Sequence, residues 1–124
     1  MRKLHFMKIL LLALTCFIAG CSNNSKTTEQ FVPARAYVMQ ESEDPMKPVV
    51  LLNENNKFSF TYSALSSYIA IGTYEVDNDN LVLKTDDGKY KYVFKIKDDC
   101  LIFNAKESSS FPSYANVPDG AIFK

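Results

Sequence analysis

Few residues of this 124-residue chain have the type and spacing to do chemistry, and most of them sit in short polar breaks. Asp77, Asp79, Asp86, Asp87, Asp98 and Asp99 fall in three such breaks and would suit calcium if one end of a domain gathered them. Asp77-Asn78-Asp79 begins like a calcium loop. However, Leu81 stands where the third ligand belongs, no glycine follows, and no glutamate closes the loop. Aspartate and asparagine are also what tight turns select, so these residues read as turns, with no metal and no cofactor expected. Ser63, Ser66 and Ser67, and the run Ser108-Ser109-Ser110, supply hydroxyls without a Ser-x-x-Lys spacing or a Gly-x-Ser-x-Gly elbow. Cys100 follows Asp98 and Asp99 rather than the cationic neighbour a reactive thiolate needs, so it reads as a small core residue. Glu54 and Glu75 are carboxylates of the kind used in acid–base pairs, but their spacing singles out neither. No catalytic residue is assigned.

One thiol stands apart. Arg2, Lys3 and Lys8 make a positive start, the apolar run Ile9-Leu10-Leu11-Leu12-Ala13-Leu14-Thr15-Cys16-Phe17-Ile18 follows, and Ala19-Gly20 leads into Cys21. As a helix the apolar run is about 15 Å long, half of a hydrocarbon core of about 30 Å, too short for a stable span. A basic start, a short apolar stretch and small residues before a cleavage point describe a signal peptide. Ile18-Ala19-Gly20-Cys21 resembles the lipobox of bacterial lipoprotein precursors. The resemblance covers the first 21 residues and implies removal of residues 1–20, with a diacylglyceryl group on the sulfur of Cys21 and palmitate-type chains holding the product to a membrane. Two or three acyl chains anchor a protein for long times, whereas one binds only marginally. The expected location is extracytoplasmic, on a cell membrane or an outer membrane.

Losing residues 1–20 changes what the remaining chain can do. It takes three of the fourteen basic residues and none of the fourteen acidic ones, which leaves a net charge of about −3. That balance offers no footprint for nucleic acid. His5, the only histidine, leaves with the signal, so no Ser-His-Asp, Cys-His or histidine-bearing zinc arrangement remains. Cys16 leaves and Cys21 is acylated, so Cys100 has no partner for an intrachain disulfide.

The elements that remain are read from polarity and period. Residues 21–34 form a flexible tether, polar and without periodicity up to Gln30, and residues 35–124 form one β domain. Arg35 to Gln40 suggests a short strand, and Glu41-Ser42-Glu43-Asp44-Pro45 an acidic break. Val49 to Leu52 and Lys57 to Tyr62 flank the turn residues Asn53-Glu54-Asn55-Asn56 as a hairpin. Further strands follow at Tyr68 to Val76, Leu81 to Thr85, Tyr90 to Ile96, Cys100 to Phe103 and Ala121 to Phe123, with a turn at Val117-Pro118-Asp119-Gly120. Gly72, inside a strand, marks a bulge or a close approach of two backbones. Strands about ten residues apart predict an all-β fold, an antiparallel up-and-down meander curling towards a small barrel, preceded by a helical signal peptide and a disordered tether. Lysines on the solvent face of Tyr90 to Ile96 discourage edge-to-edge pairing.

Fourteen aromatics outlast the signal; Phe58, Phe60, Tyr62, Tyr68, Tyr74, Tyr90, Tyr92 and Phe94 would either line a ligand cavity or fill the core, and a chain this short has little room for both, so they read as core. Phe111 and Tyr114 lie instead in the polar loop 104–116 and are expected as exposed contacts for a partner. Gly72-Thr73-Tyr74, a polar turn, Leu81-Val82-Leu83 and Tyr92-Val93-Phe94 give residues 58–103 a resemblance to small lipocalin-like β domains of bacterial surface lipoproteins. They also resemble the extracytoplasmic tails of membrane peptidases of the beta-lactam-sensing type. Neither resemblance carries over a functional residue. The expected function is a non-enzymatic binding or protein-interaction module, joined to a membrane through the lipid on Cys21, with a protein or small molecule as its partner. The alternatives are a carboxylate-dependent enzyme acting on envelope material and an accessory or sensor subunit of a membrane complex.

Overall fold

Along Lys91–Lys97, alternation puts Tyr92, Phe94 and Ile96 on one face and Lys91, Lys95 and Lys97 on the other. The computed structural model describes residues 31–124, and it buries the first set and exposes the second. The same period of two runs through β1 (Ala36–Val38), β2 (Val49–Asn53), β3 (Lys57–Thr61), β4 (Ala70–Asp77), β5 (Asn80–Thr85), β6 (Lys91–Lys97), β7 (Cys100–Asn104) and β8 (Ile122–Phe123). Each strand pairs antiparallel with the next in chain order, so the expected meander is the observed one. Among the described residues the one helical piece is the 3-10 turn Glu54–Asn56 between β2 and β3.

The sheet then returns on itself. The Val38 N–H donates to the Lys124 carbonyl at 3.1 Å, the Lys124 N–H returns to the Val38 carbonyl at 2.9 Å, and the Gln40 N–H donates to the Ile122 carbonyl at 2.8 Å. These bonds wrap β8 against β1 and make a nearly closed barrel, which removes most of the free strand edge that invites aggregation. Closure needs turns tight enough to reverse each strand. Asn55, Asn78 and Asp98 (φ 67°, 55° and 54°) and Gly88 and Gly120 (φ 72° and 81°) supply the left-handed conformations those turns require.

The expected signal peptide, Cys21 and the expected tether as far as Gln30 lie outside the described residues. Packing begins at Val32, which is buried, and the Tyr37 hydroxyl donates to the Pro33 carbonyl at 2.7 Å. Val32 and Pro33, within the segment 21–34 expected as tether, therefore already touch the barrel. Arg35 fastens this entry: its guanidinium lies 4.0 Å from the Tyr37 ring centre and donates to the Asp99 carbonyl at 3.0 Å.

Phe60 is the centre of the core. It makes edge-on contacts with Tyr92 at 5.3 Å, Phe94 at 5.9 Å and Phe123 at 5.9 Å between ring centres. Aromatic pairs of this geometry each contribute about 0.5–1.5 kcal/mol beyond their area. These rings occupy the barrel interior, as the shortness of the chain leads one to expect. Tyr68 and Tyr90, also expected in the core, lie instead at the surface, because they stand just before β4 and β6, and Tyr74 is half-buried.

Candidate functional site

The antiparallel order sorts the connections onto two ends of the barrel. One end holds the chain entry at 31–35 and the turns at 54–56, 78–79 and 98–99. The other holds the connections 39–48, 62–69, 86–90 and 105–121, where Tyr68, Tyr90 and Tyr114 reach the surface; at the first end Phe31 is the exposed aromatic.

This second end, the mouth, is built from strand ends and one long loop. Tyr62 follows β3, Tyr92 projects inward from β6, Phe103 comes from β7, and Phe111 arrives from the loop 105–121. Phe111 lies parallel to Tyr92, with ring centres 5.1 Å apart and planes 5° apart. It is tilted against Tyr62 at 5.0 Å and against Phe103 at 5.4 Å, and it meets Phe60 edge-on at 5.8 Å. Outside this group Tyr90 stacks on Tyr92 at 6.3 Å, and Tyr68 meets Tyr90 edge-on at 5.7 Å. A chain of rings therefore runs from the barrel centre to solvent.

Asp87 fixes the outer end of that chain. Its carboxylate accepts from the Thr85 hydroxyl at 2.6 Å, the Lys89 N–H at 3.0 Å and the Tyr68 hydroxyl at 3.1 Å. The Thr85 hydroxyl and the Lys89 amide hold its pKa below the usual aspartate value. Tyr68 is pushed the other way, by burial first and then by its bond to Asp87. Burial, followed by the neighbouring phenols of Tyr62, Tyr68 and Tyr90, raises the pKa of Tyr92 well above the ordinary phenol value. The Asp87 carboxylate thus ties Tyr68, the outermost ring of the chain, to the turn after β5.

The serine run serves the sheet. β6 pairs with β7 only from Val93 onward. Upstream, the Lys91 N–H donates to the Ser109 hydroxyl at 2.9 Å, the Ser109 N–H donates to the Lys91 carbonyl at 2.7 Å, and the Val93 N–H donates to the Ser108 hydroxyl at 2.8 Å. Ser108 also donates to the Asn104 carbonyl at 2.6 Å. Two hydroxyls and one amide thereby extend the ladder where no strand is present, and Val93 is buried although it points outward. At the other loop of the mouth, Ser63 and Ser66 accept from the Leu65 and Tyr68 amides at 3.1 Å each and so shape that turn.

The remaining expected residues separate. Tyr114 is exposed, at 47% of its full accessibility. Phe111 is half-buried rather than exposed, because stacking on Tyr92 turns its ring into the mouth. Asp86 and Asp87 sit at the mouth, whereas Asp77, Asp79, Asp98 and Asp99 lie at the opposite end, so one end does not gather all six. Among the described residues no group of three metal-ligating side chains forms. Glu75 pairs with Lys84 at 3.4 Å on the outer wall, and Glu54 is exposed in the 3-10 turn. Cys100 is partly exposed opposite Lys97 at the start of β7. The Tyr68–Asp87 bond joins residues nineteen apart, and only the hairpin-turn signal Asp86-Asp87-Gly88 hints at it in the sequence.

No family model matches this chain, and no curated protein or solved structure compared with it matches.

Proposed function

We propose that this protein is a lipid-anchored extracytoplasmic lipoprotein whose barrel is a binding module that presents its mouth to a partner. The anchor rests on the residues Ile18-Ala19-Gly20-Cys21 and the short apolar run before them. The binding reading is carried by one observation, the separation of the two ends. The chain enters at the end with aspartate and asparagine turns, while Leu65 (80% exposed), Tyr68, Tyr90 and Tyr114 stand out at the other. Tyrosines and a leucine projecting from loops on a rigid barrel are what contact surfaces use. Held by Cys21, the barrel would carry this rim on the side away from its attachment.

The test is photo-cross-linking in the native host, with a photoreactive residue at Leu65 in one strain and at Lys95, on the outer wall, in another. A discrete adduct from position 65 and none from position 95 supports the reading. Equal labelling from both positions, or none from either, overturns it.

A further inference from the structure

We infer that the pocket formed by Tyr62, Tyr92 and Phe103 at the mouth is a binding slot for a planar aromatic ring of a small ligand, occupied in this structure by the chain's own Phe111. The inference deepens the binding-module reading and rests on it.

Phe111 differs from the other rings of the core in how its backbone is held. Phe60 and Phe94 are paired on both sides, Tyr92 is paired with Leu83 of β5, and Phe103 is paired with Phe94 of β6 and bonded to Gly120 and Ala121 on its other side. Phe111 comes from a loop. Among the described residues no backbone hydrogen bond fixes Phe111 itself; the nearest are the Ser109 N–H to Lys91 before it and the Ala115 N–H to Pro112 after it. The ring can therefore leave without breaking a strand pair. What it would leave behind is a slot with a flat floor, since Tyr92 lies parallel to it at 5.1 Å while Tyr62 and Phe103 lean in from the sides at 5.0 and 5.4 Å. Parallel stacking on one face with tilted rings beside it selects flat, unsaturated rings over flexible chains. The way in is also short, because Phe111 is half-buried at the mouth and not enclosed.

The loop is the gate in this arrangement, and the hydroxyls of Ser108 and Ser109 are its latch on β6. A ligand ring and Phe111 compete for one position. The apparent affinity of the native protein is then the affinity of the open slot reduced by the fraction of time Phe111 spends outside it.

The test uses full-chain protein, labelled with 3-fluorotyrosine and held in lipid nanodiscs, with phenol as the probe. Fluorine resonances of Tyr62 and Tyr92 are assigned by substitution to Phe. Phe111→Ala should bind phenol saturably with shifts at Tyr62 and Tyr92, and at least tenfold more tightly than the native chain. Equal affinity in both overturns the competition. Absence of binding to a folded Phe111→Ala variant overturns the slot, as does cyclohexanol binding as tightly as phenol. Should Phe111→Ala not fold, the Ser108→Ala/Ser109→Ala double variant retains the ring and loosens the latch. It should bind phenol severalfold more tightly than the native chain, and unchanged affinity overturns the proposal. A protein that binds no ring yet still gives the adduct at position 65 loses this slot and keeps the binding-module reading.

Discussion

A β-carbon added to Gly72 would collide with the backbone carbonyl oxygen of Lys84 on the neighbouring strand. Gly72 lies inward on β4, opposite Phe58 of β3 on one side and Thr85 of β5 on the other. Its missing side chain lets the β5 backbone at Lys84 and Thr85 come close. The obstacle is backbone, which has no rotamer to move aside. Gly72→Ala should therefore destabilise the barrel by about 3 kcal/mol, read as a lower midpoint in urea with the slope unchanged. A loss under about 1 kcal/mol would mean that β4 and β5 separate easily there.

Phe60 tests the claim that rings fill the interior. It contacts Tyr92, Phe94 and Phe123 and is fully buried, so Phe60→Ala removes the shared neighbour of all three. The expected cost is about 4 kcal/mol, a large part of the total for a domain of this size. Phe60→Leu keeps most of the volume and should cost less than half as much. Equal costs would show that edge-on geometry, rather than filled space, is what matters.

Acid should act on the mouth through Asp87. Its folded pKa is depressed, by the Thr85 hydroxyl first and the Lys89 amide second. The stability it contributes is therefore present above the pKa of an unfolded aspartate and is lost as pH falls through the folded value. Asp87→Asn should flatten the acid limb of a stability–pH curve and lower stability at neutral pH by the same amount, a small one because the carboxylate is at the surface. Tyr68→Phe removes one of the three donors and should flatten the limb less. A steeper acid limb in Asp87→Asn would contradict this account.

For the anchor, Cys21→Ala should abolish incorporation of radiolabelled fatty acid and leave the precursor uncut. In the proposed anchor the Cys21 sulfur is the acceptor, and alanine offers none. Label retained in the variant would place the lipid elsewhere. Cys100→Ala is the control and should acylate normally.

How far sequence alone reaches differs between the wall and the mouth. Strand positions were legible because alternation and Asn/Asp/Gly turns act over a few residues; β6 runs from Lys91 to Lys97 where the pattern suggested Tyr90 to Ile96. Gly72 was legible for the same reason, since a glycine inside an alternating strand has few uses. Phe111 was not. Loop polarity argued for exposure, and only the long-range meeting of β3, β6 and β7 creates the surface on which its ring stacks. The serine run was opaque in the same way, because its partners Lys91 and Val93 lie on another element.

That pairing makes a sharp pair of predictions. Ser109 holds the amide of Lys91 at 2.9 Å in an exposed position, and Ser108 holds the amide of Val93 at 2.8 Å in a partly buried one. Water can replace a lost partner at Lys91 but reaches Val93 poorly, and an unpaired buried donor costs about 1–3 kcal/mol. Ser108→Ala should therefore destabilise the barrel by about 2 kcal/mol and Ser109→Ala by under 1 kcal/mol. Hydrogen exchange separates the two locally. Ser108→Ala should deprotect the Val93 amide and Ser109→Ala the Lys91 amide, while Phe94, paired within the β-ladder, and Ile96, whose N–H donates to the Asp79 carbonyl at 2.7 Å, keep their protection in both variants. If either substitution deprotected all of β6 together, the hydroxyls would be supporting the whole strand rather than completing its first three residues.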